Sequence, residues 1–154
     1  MSERERFGTG AGGPADPAVT GLAHVAIATR DADALAEKLI AALGGARGAE
    51  ETLDGGELRV VFVHLGPVIV ELLEPHAPGH TVAKFLDERG PGLHHVSFEV
   101  ADLPAALERA RAAGVRLIDE SGRAGAHGTE VAFLHPKSVG GVLIELCGRA
   151  PGND

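Results

Sequence analysis

A chain of 154 residues with a net charge of −8 offers no cationic surface for a phosphate backbone, which excludes nucleic acid as a partner. Hydrophobic residues make up 44% of the chain but aromatics only 3%, so its core must be built from Val, Leu, Ile and Ala. No apolar run approaches the roughly 20 residues that span a bilayer, and the lone cysteine, Cys147, admits no internal disulfide, so a cytoplasmic protein without a membrane partner is expected.

Residues 1–20 mix charges with glycine and proline, bury too little apolar area to offset their ordering entropy, and are expected to form a disordered N-terminal tail. Leu22–Thr29 is short, partly β-branched and bounded by turn residues, the pattern of a strand. Asp31 then offers an N-cap oxygen to a helix over Ala34–Leu43, which stops at Gly44-Gly45. A weak strand at Glu50–Leu53 leads to a turn at Asp54-Gly55-Gly56, and Arg59–Leu65 and Val68–Leu73 read as a hairpin through Gly66-Pro67. Residues 21–75 thus form a first βαβββ module, and residues 76–91 a linker with a short helix at Thr81–Arg89, capped by Thr81.

The second half repeats the first. Gly92–Val100 reads Gly-Leu-His-His-Val-Ser-Phe-Glu-Val, and 71 residues earlier stands Gly-Leu-Ala-His-Val-Ala-Ile-Ala-Thr, which puts His24 in register with His95. Asp102 matches Asp31 as the cap of a helix that continues as Leu103–Ala113 and stops at Gly114. A short strand at Val115–Ile118, a glycine-rich loop at Ser121–Gly128, and strands at Glu130–His135 and Gly141–Cys147 follow. After a three-residue insertion in the last turn the final strands align at a spacing of 74, which matches Glu71 with Glu145. Residues 92–148 are the second βαβββ module and residues 149–154 a C-terminal tail, so the expected fold is α+β, a curved mixed sheet around a central cleft.

A carboxylate inside a Val/Leu/Ile strand costs several kcal/mol or more to bury unless it is paired or bound to a metal. Strand side chains alternate faces, so the concave side of such a sheet would point His24, Glu71, His95 and Glu145 at one place. Two imidazoles and two carboxylates suit a divalent cation such as Co²⁺, Mn²⁺, Fe²⁺, Ni²⁺ or Zn²⁺. By the same alternation His94 points to the opposite face and packs, while His64 and His135, beside turns, serve surface or structural hydrogen bonds. His127, inside a glycine-rich loop, is a candidate substrate contact, as are Lys137, Ser138 and Lys84, whose cations and glycine-flanked backbone suit a carboxylate or phosphates.

Several phrases carry a resemblance: Thr81-Val82-Ala83-Lys84-Phe85-Leu86, Gly92-Leu93-His94-His95, Arg116-Leu117-Ile118-Asp119-Glu120, and His135-Pro136-Lys137-Ser138 leading into Gly140 to Leu146. With the duplicated modules, Leu22 to Cys147 resembles the vicinal oxygen chelate superfamily, the glyoxalase-like fold, and in detail its methylmalonyl-CoA epimerases. The resemblance implies one divalent metal ion, cobalt favoured, held by His24, His95, Glu145 and Glu71. It also implies an acyl-CoA substrate, 1,1-proton transfer at C2 through a metal-stabilised enolate, and a homodimer. Two glutamates, one per face, are implied as proton carriers, one of them Glu145. The other stands in some members on the strand before the hairpin turn, where this chain has Val60, so Glu71 is expected either to supply that function or to leave Glu145 working with water.

Three other readings compete. A lactoylglutathione lyase or dioxygenase would use a similar metal site, but Thr81–Leu86 and His135–Glu145 read against it. A metal-free small-molecule binding protein of the same fold would lose ligand positions, and all four survive. A structural protein with buried His/Glu pairs would hold no metal.

Overall fold

The computed structural model describes residues 19–149; of the expected tails at 1–20 and 149–154, residues 1–18 and 150–154 lie outside the described residues, whereas Val19, Thr20 and Arg149 are corrected to strand, paired with the neighbouring strands of the sheet. The elements follow in chain order as β1 (Val19–Ala28), α1 (Ala32–Leu43), β2 (Ala46–Leu53), β3 (Leu58–Leu65), β4 (Val68–Pro75), α2 (Thr81–Arg89), β5 (Gly92–Val100), α3 (Leu103–Ala112), β6 (Arg123–Ala124), β7 (Thr129–Leu134) and β8 (Ile144–Arg149). Asp31 and Asp102 cap α1 and α3 as expected, accepting from the Ala34 and Ala105 N–H groups at 3.0 Å each. Gly44 ends α1 at φ 71°, a left-handed conformation that glycine reaches without steric cost.

The strands form one curled, mixed sheet in the order β2-β3-β4-β1-β5-β8-β7-β6. The two repeats meet where β1 runs antiparallel to β5, and Val25 pairs there with its own counterpart, Val96. A pseudo-twofold axis therefore passes between these two valines. It relates the His24–Ser97 pair to the Ala26–His95 pair. On either side one residue is skipped in the ladder: Ala23 between Leu22 and His24, and His94 between Leu93 and His95. These are β-bulges at matching slots.

Two helices cover the convex face and one closes part of the concave face. On the convex side α1 lays Ala32 and Ala36 on Val61, Val63, Val70 and Leu72, and α3 lays Leu103, Ala106 and Leu107 on Ala132, Leu134 and Leu146. On the concave side α2 inserts Val82 and Leu86 against Ala26, Ala28, Leu58, Val60, Phe62 and Leu73, filling one end of the trough. Each of the valines, leucines and the phenylalanine among them contributes roughly 1.5–3 kcal/mol on burial, the alanines less. The remaining concave floor carries the polar groups.

Several local expectations are corrected. His80, not Thr81, caps α2: its Nδ1 accepts from the Val82 N–H at 3.1 Å, which places Thr81 inside the first turn. Val115–Ile118 makes only the isolated bridge Leu117–Leu134, while the strand of that repeat is Arg123–Ala124, within the expected glycine-rich loop. Gly141–Leu143 precedes β8 rather than opening it, because Gly140 and Gly141, at φ 79° and 82°, carry a turn that extended strand cannot include.

Candidate metal centre and active cleft

The duplicated strands bring all four expected ligands to one buried place. His24 Nε2 and His95 Nε2 stand 3.0 Å apart. His24 Nε2 lies 3.2 Å from Glu71 Oε2 and 3.3 Å from Glu145 Oε1, and His95 Nε2 lies 3.7 Å from Glu145 Oε2. His24, His95 and Glu145 each direct a donor atom within 4.8 Å of the others, and Glu71 adjoins this triad through His24. Ligands each about 2 Å from one ion stand roughly 3 Å from each other, so these separations suit a shared ion.

Electrostatics agree. Burial lowers the His24 imidazole to about 4 and His95 further still, leaving both neutral with lone pairs free. Burial also pushes Glu71 up to about 8, helped by the charges of Glu145 and Glu51, and pushes Glu145 up to about 7 against the hydrogen bond from Ser97. Two carboxylates crowded among neutral imidazoles need a cation to ionise near neutrality, and the donor set of nitrogen and carboxylate oxygen fits a divalent metal ion.

A second layer orients these side chains. Ser97 is fully buried and its hydroxyl donates to Glu145 Oε1 at 2.8 Å. His94 Nδ1 lies 2.9 Å from His95 Nδ1. For His95 Nε2 to present a lone pair to the cluster, its Nδ1 must carry the proton and His94 must accept it. Alternation places His94 on the far face, but the bulge rotates it into the cleft, where it also meets the Phe85 ring at 5.1 Å between centroids.

The structure also supplies a carboxylate that the sequence reading passed over. Val60, the slot suggested for a second glutamate, is an apolar core residue 1% exposed. Directly opposite it on the neighbouring strand stands Glu51, which shares its concave face. Glu51 accepts from the His127 N–H at 3.0 and 3.2 Å to its two oxygens, and its charge reaches Glu71. Its neighbour Glu50 faces the convex side and binds Arg59 at 2.6 Å. The Glu50-Glu51 pair in a weak strand, one residue per face, was the available signal.

Of the expected substrate contacts, His127 is exposed at φ 55° and stacks obliquely on Phe62 at 4.3 Å, at one end of the cleft. The Ser138 hydroxyl accepts from the Arg116 N–H at 3.0 Å and donates to His135 O at 3.1 Å, so it closes its own loop. Lys137 is exposed, its N–H donating to His135 Nδ1.

The cleft opens at two mouths that the pseudo-twofold exchanges. One, of about 420 Å³, is bordered by Ala23, His64 and Ile69. The other borders a space of about 550 Å³ at His94, His135 and Leu143, their counterparts, and a smaller space of about 260 Å³ reaches from His94 to Glu71 and Glu145.

This fold, with a donor cluster whose chemistry suits a divalent cation, defines an enzyme of the glyoxalase type, and residues 23–133 match the Glyoxalase/Bleomycin resistance protein/Dioxygenase superfamily, to which the chain belongs. Over 81% of its length the chain is 41% identical to the ethylmalonyl-CoA/methylmalonyl-CoA epimerase of Cereibacter sphaeroides, covering 95% of that protein. It superposes with a TM-score of 0.82 on methylmalonyl-CoA epimerase from Mycobacterium tuberculosis, at 40% identity, covering 89% of this chain and 93% of that one. A methylmalonyl-CoA epimerase solved with methylmalonyl-CoA and NH4+ superposes with a TM-score of 0.80 at 33% identity, over 87% of this chain and 97% of that one.

Proposed function

We propose that the protein interconverts the two C2 epimers of methylmalonyl-CoA by 1,1-proton transfer. The observation that supports this most is the convergence of Glu71 and Glu145 with two neutral histidines in one buried cleft, beside a third, half-buried carboxylate, Glu51, on the same concave face. Epimerisation requires a proton to leave C2 toward one face and return from the other. The carbon lies between a thioester and a carboxylate, so the charge left behind spreads onto oxygens.

His24, His95, Glu145 and Glu71 would hold a divalent ion, cobalt favoured, which when bound supplies Lewis-acid stabilisation of those oxygens. We assign Glu145 as the proton carrier on one face of C2. Its carboxylate is held in place at the cleft floor by the buried Ser97 hydroxyl, which fixes the direction from which it meets C2. Glu51 is assigned to the opposite face. It stands clear of the histidine cluster and is anchored by the His127 N–H, so its carboxylate can exchange a proton with substrate without leaving a ligand position. Glu71, pressed against His24, then completes the ligand set rather than carrying the second proton. The buried free thiol of Cys147 is consistent with a reducing cytoplasm, and a homodimer is the proposed assembly.

The test is deuterium incorporation at C2 of methylmalonyl-CoA in deuterium oxide, with metal-stripped and cobalt-loaded protein. Exchange that depends on the metal is expected. No exchange in either preparation sinks the reading.

A further inference from the structure

The cleft floor can be reached from two sides that differ in charge. The mouth at Ala23 opens onto His24, Glu71 and Glu145, three of the four clustered groups. Its rim carries exposed Glu99, His64 and His127, and no lysine or arginine borders it among the described residues. The Thr20 hydroxyl donates to Glu99 Oε1 at 3.0 Å, which keeps this carboxylate at the rim. Behind the rim stands Glu51, bound to the His127 N–H at 3.0 Å.

The opposite mouth is bordered by Lys84 and Arg89, with Glu88 as its one carboxylate. The space leading inward from it has Arg123 in its wall, and Asp54, its one carboxylate besides Glu71 and Glu145, is engaged by His80 at 2.7 Å. Arg89 and Arg123 lie over Phe85 and Phe133, 5.4 and 5.3 Å from the ring centres, which holds their charges in place. Asp119 lies 3.5 Å from Arg123, yet the arginine's charge still reaches His95 and Glu145. A divalent ion feels each such charge doubly, and a cleft focuses the field, so the two mouths are not equivalent approaches for a cation.

Resting on the metal-site reading of the cluster, and not on the substrate, we propose that a divalent cation reaches and leaves the four groups through the mouth at Ala23, with Glu99 drawing it to the rim. His64 and His127 offer exposed imidazole nitrogens along the way. Among the described residues only His24, His95 and Glu145 stand close enough together to hold an ion as a group, so the rim is a passage rather than a second site. Metal exchange then never crosses the cationic side.

Stopped-flow mixing of metal-free protein with cobalt, followed by the visible absorbance of the ligated ion, tests this at about 0.1 M salt, where charges more than about 10 Å apart are largely screened. Glu99→Lys should slow association about tenfold or more and Glu99→Gln about threefold, and raising salt should slow the wild type but not Glu99→Lys. Because entry and exit share the passage, release into excess chelator should slow as well, so affinity changes by less than about threefold. The K84E/R89E double variant, altered at the other mouth, should keep both rates within about twofold of wild type. Thermal melting checks that each variant folds, and Glu99→Gln carries the test where Glu99→Lys does not. Unchanged association in the folded Glu99 variants overturns the proposal, as does faster association confined to K84E/R89E, which assigns entry to the other side. Affinity that falls as far as the association rate also overturns it, since Glu99 would then act on the bound ion. A wild-type protein that takes up no cobalt defeats the metal-site reading itself.

Discussion

The Ser97 hydroxyl holds Glu145 at 2.8 Å, whereas at the matching place in the other repeat the methyl group of Ala26 faces Glu71. The two carboxylates are equivalent by symmetry and unequal by this one oxygen. Glu145 has a fixed partner and Glu71 has none from that neighbour. Ser97→Ala should therefore weaken cobalt binding by about tenfold or more, as loss of an orienting hydrogen bond does at metal sites. Titration against a competing chelator measures it. Unchanged affinity would remove Ser97 from the site.

Glu51→Gln should lower the rate of C2 exchange by about a hundredfold to ten-thousandfold while bound metal stays at the wild-type level. Glu145→Gln should lose both. Elemental analysis beside deuterium exchange separates the two variants, and a Glu51→Gln protein with full activity would return the second proton to Glu71.

His94→Ala removes the acceptor for the His95 Nδ1 proton and the ring against Phe85. Metal affinity is expected to fall about tenfold, and His94→Asn, which keeps an acceptor, should recover most of it. Equal losses in the two variants would mean that His94 acts by packing alone.

Metal binding should release protons. Glu71 at about 8 and Glu145 at about 7 carry protons near neutrality in the metal-free protein, and ligation requires them to leave. Affinity therefore rises with pH through about 7 to 8, and calorimetry in buffers of different ionisation enthalpy counts the protons. For the metal-free fold the sign follows from the raised values. The two carboxyls contribute stability fully below their ordinary value of 4.5, and that contribution is lost as pH rises through about 7 to 8. His24 acts in reverse, its contribution being lost as pH falls from 6.5 toward about 4. A metal-free melting temperature that rose steadily from pH 5 to 9 would contradict this balance.

The repeat made the four converging groups legible, because matching segments, 71 residues apart before the last turn and 74 after it, can be aligned without knowledge of the fold. What stayed hidden depended on single-residue departures from regularity. His94 was misplaced because one skipped residue reverses strand alternation, and nothing in Leu93-His94-His95 marks the skip. Glu51 was missed because its strand is polar on both faces, and only its pairing with Val60 shows which face meets the cleft. The caps of α1 and α3 were readable from aspartate, whereas His80 at the start of α2 is a rarer cap that sequence preference ranks below Thr81.

The pseudo-twofold at Val25 and Val96 means that neither repeat owns the proposed metal site. Each contributes one histidine and one glutamate, so the cluster exists only while β1 and β5 are paired, and an ion bound there would act as a clasp across the seam. A single repeat docked on an identical copy of itself would already place the same four groups around one axis. The differences accumulated since are informative for that reason: Ala23 against His94 and Ala26 against Ser97 are where two interchangeable halves became a front and a back.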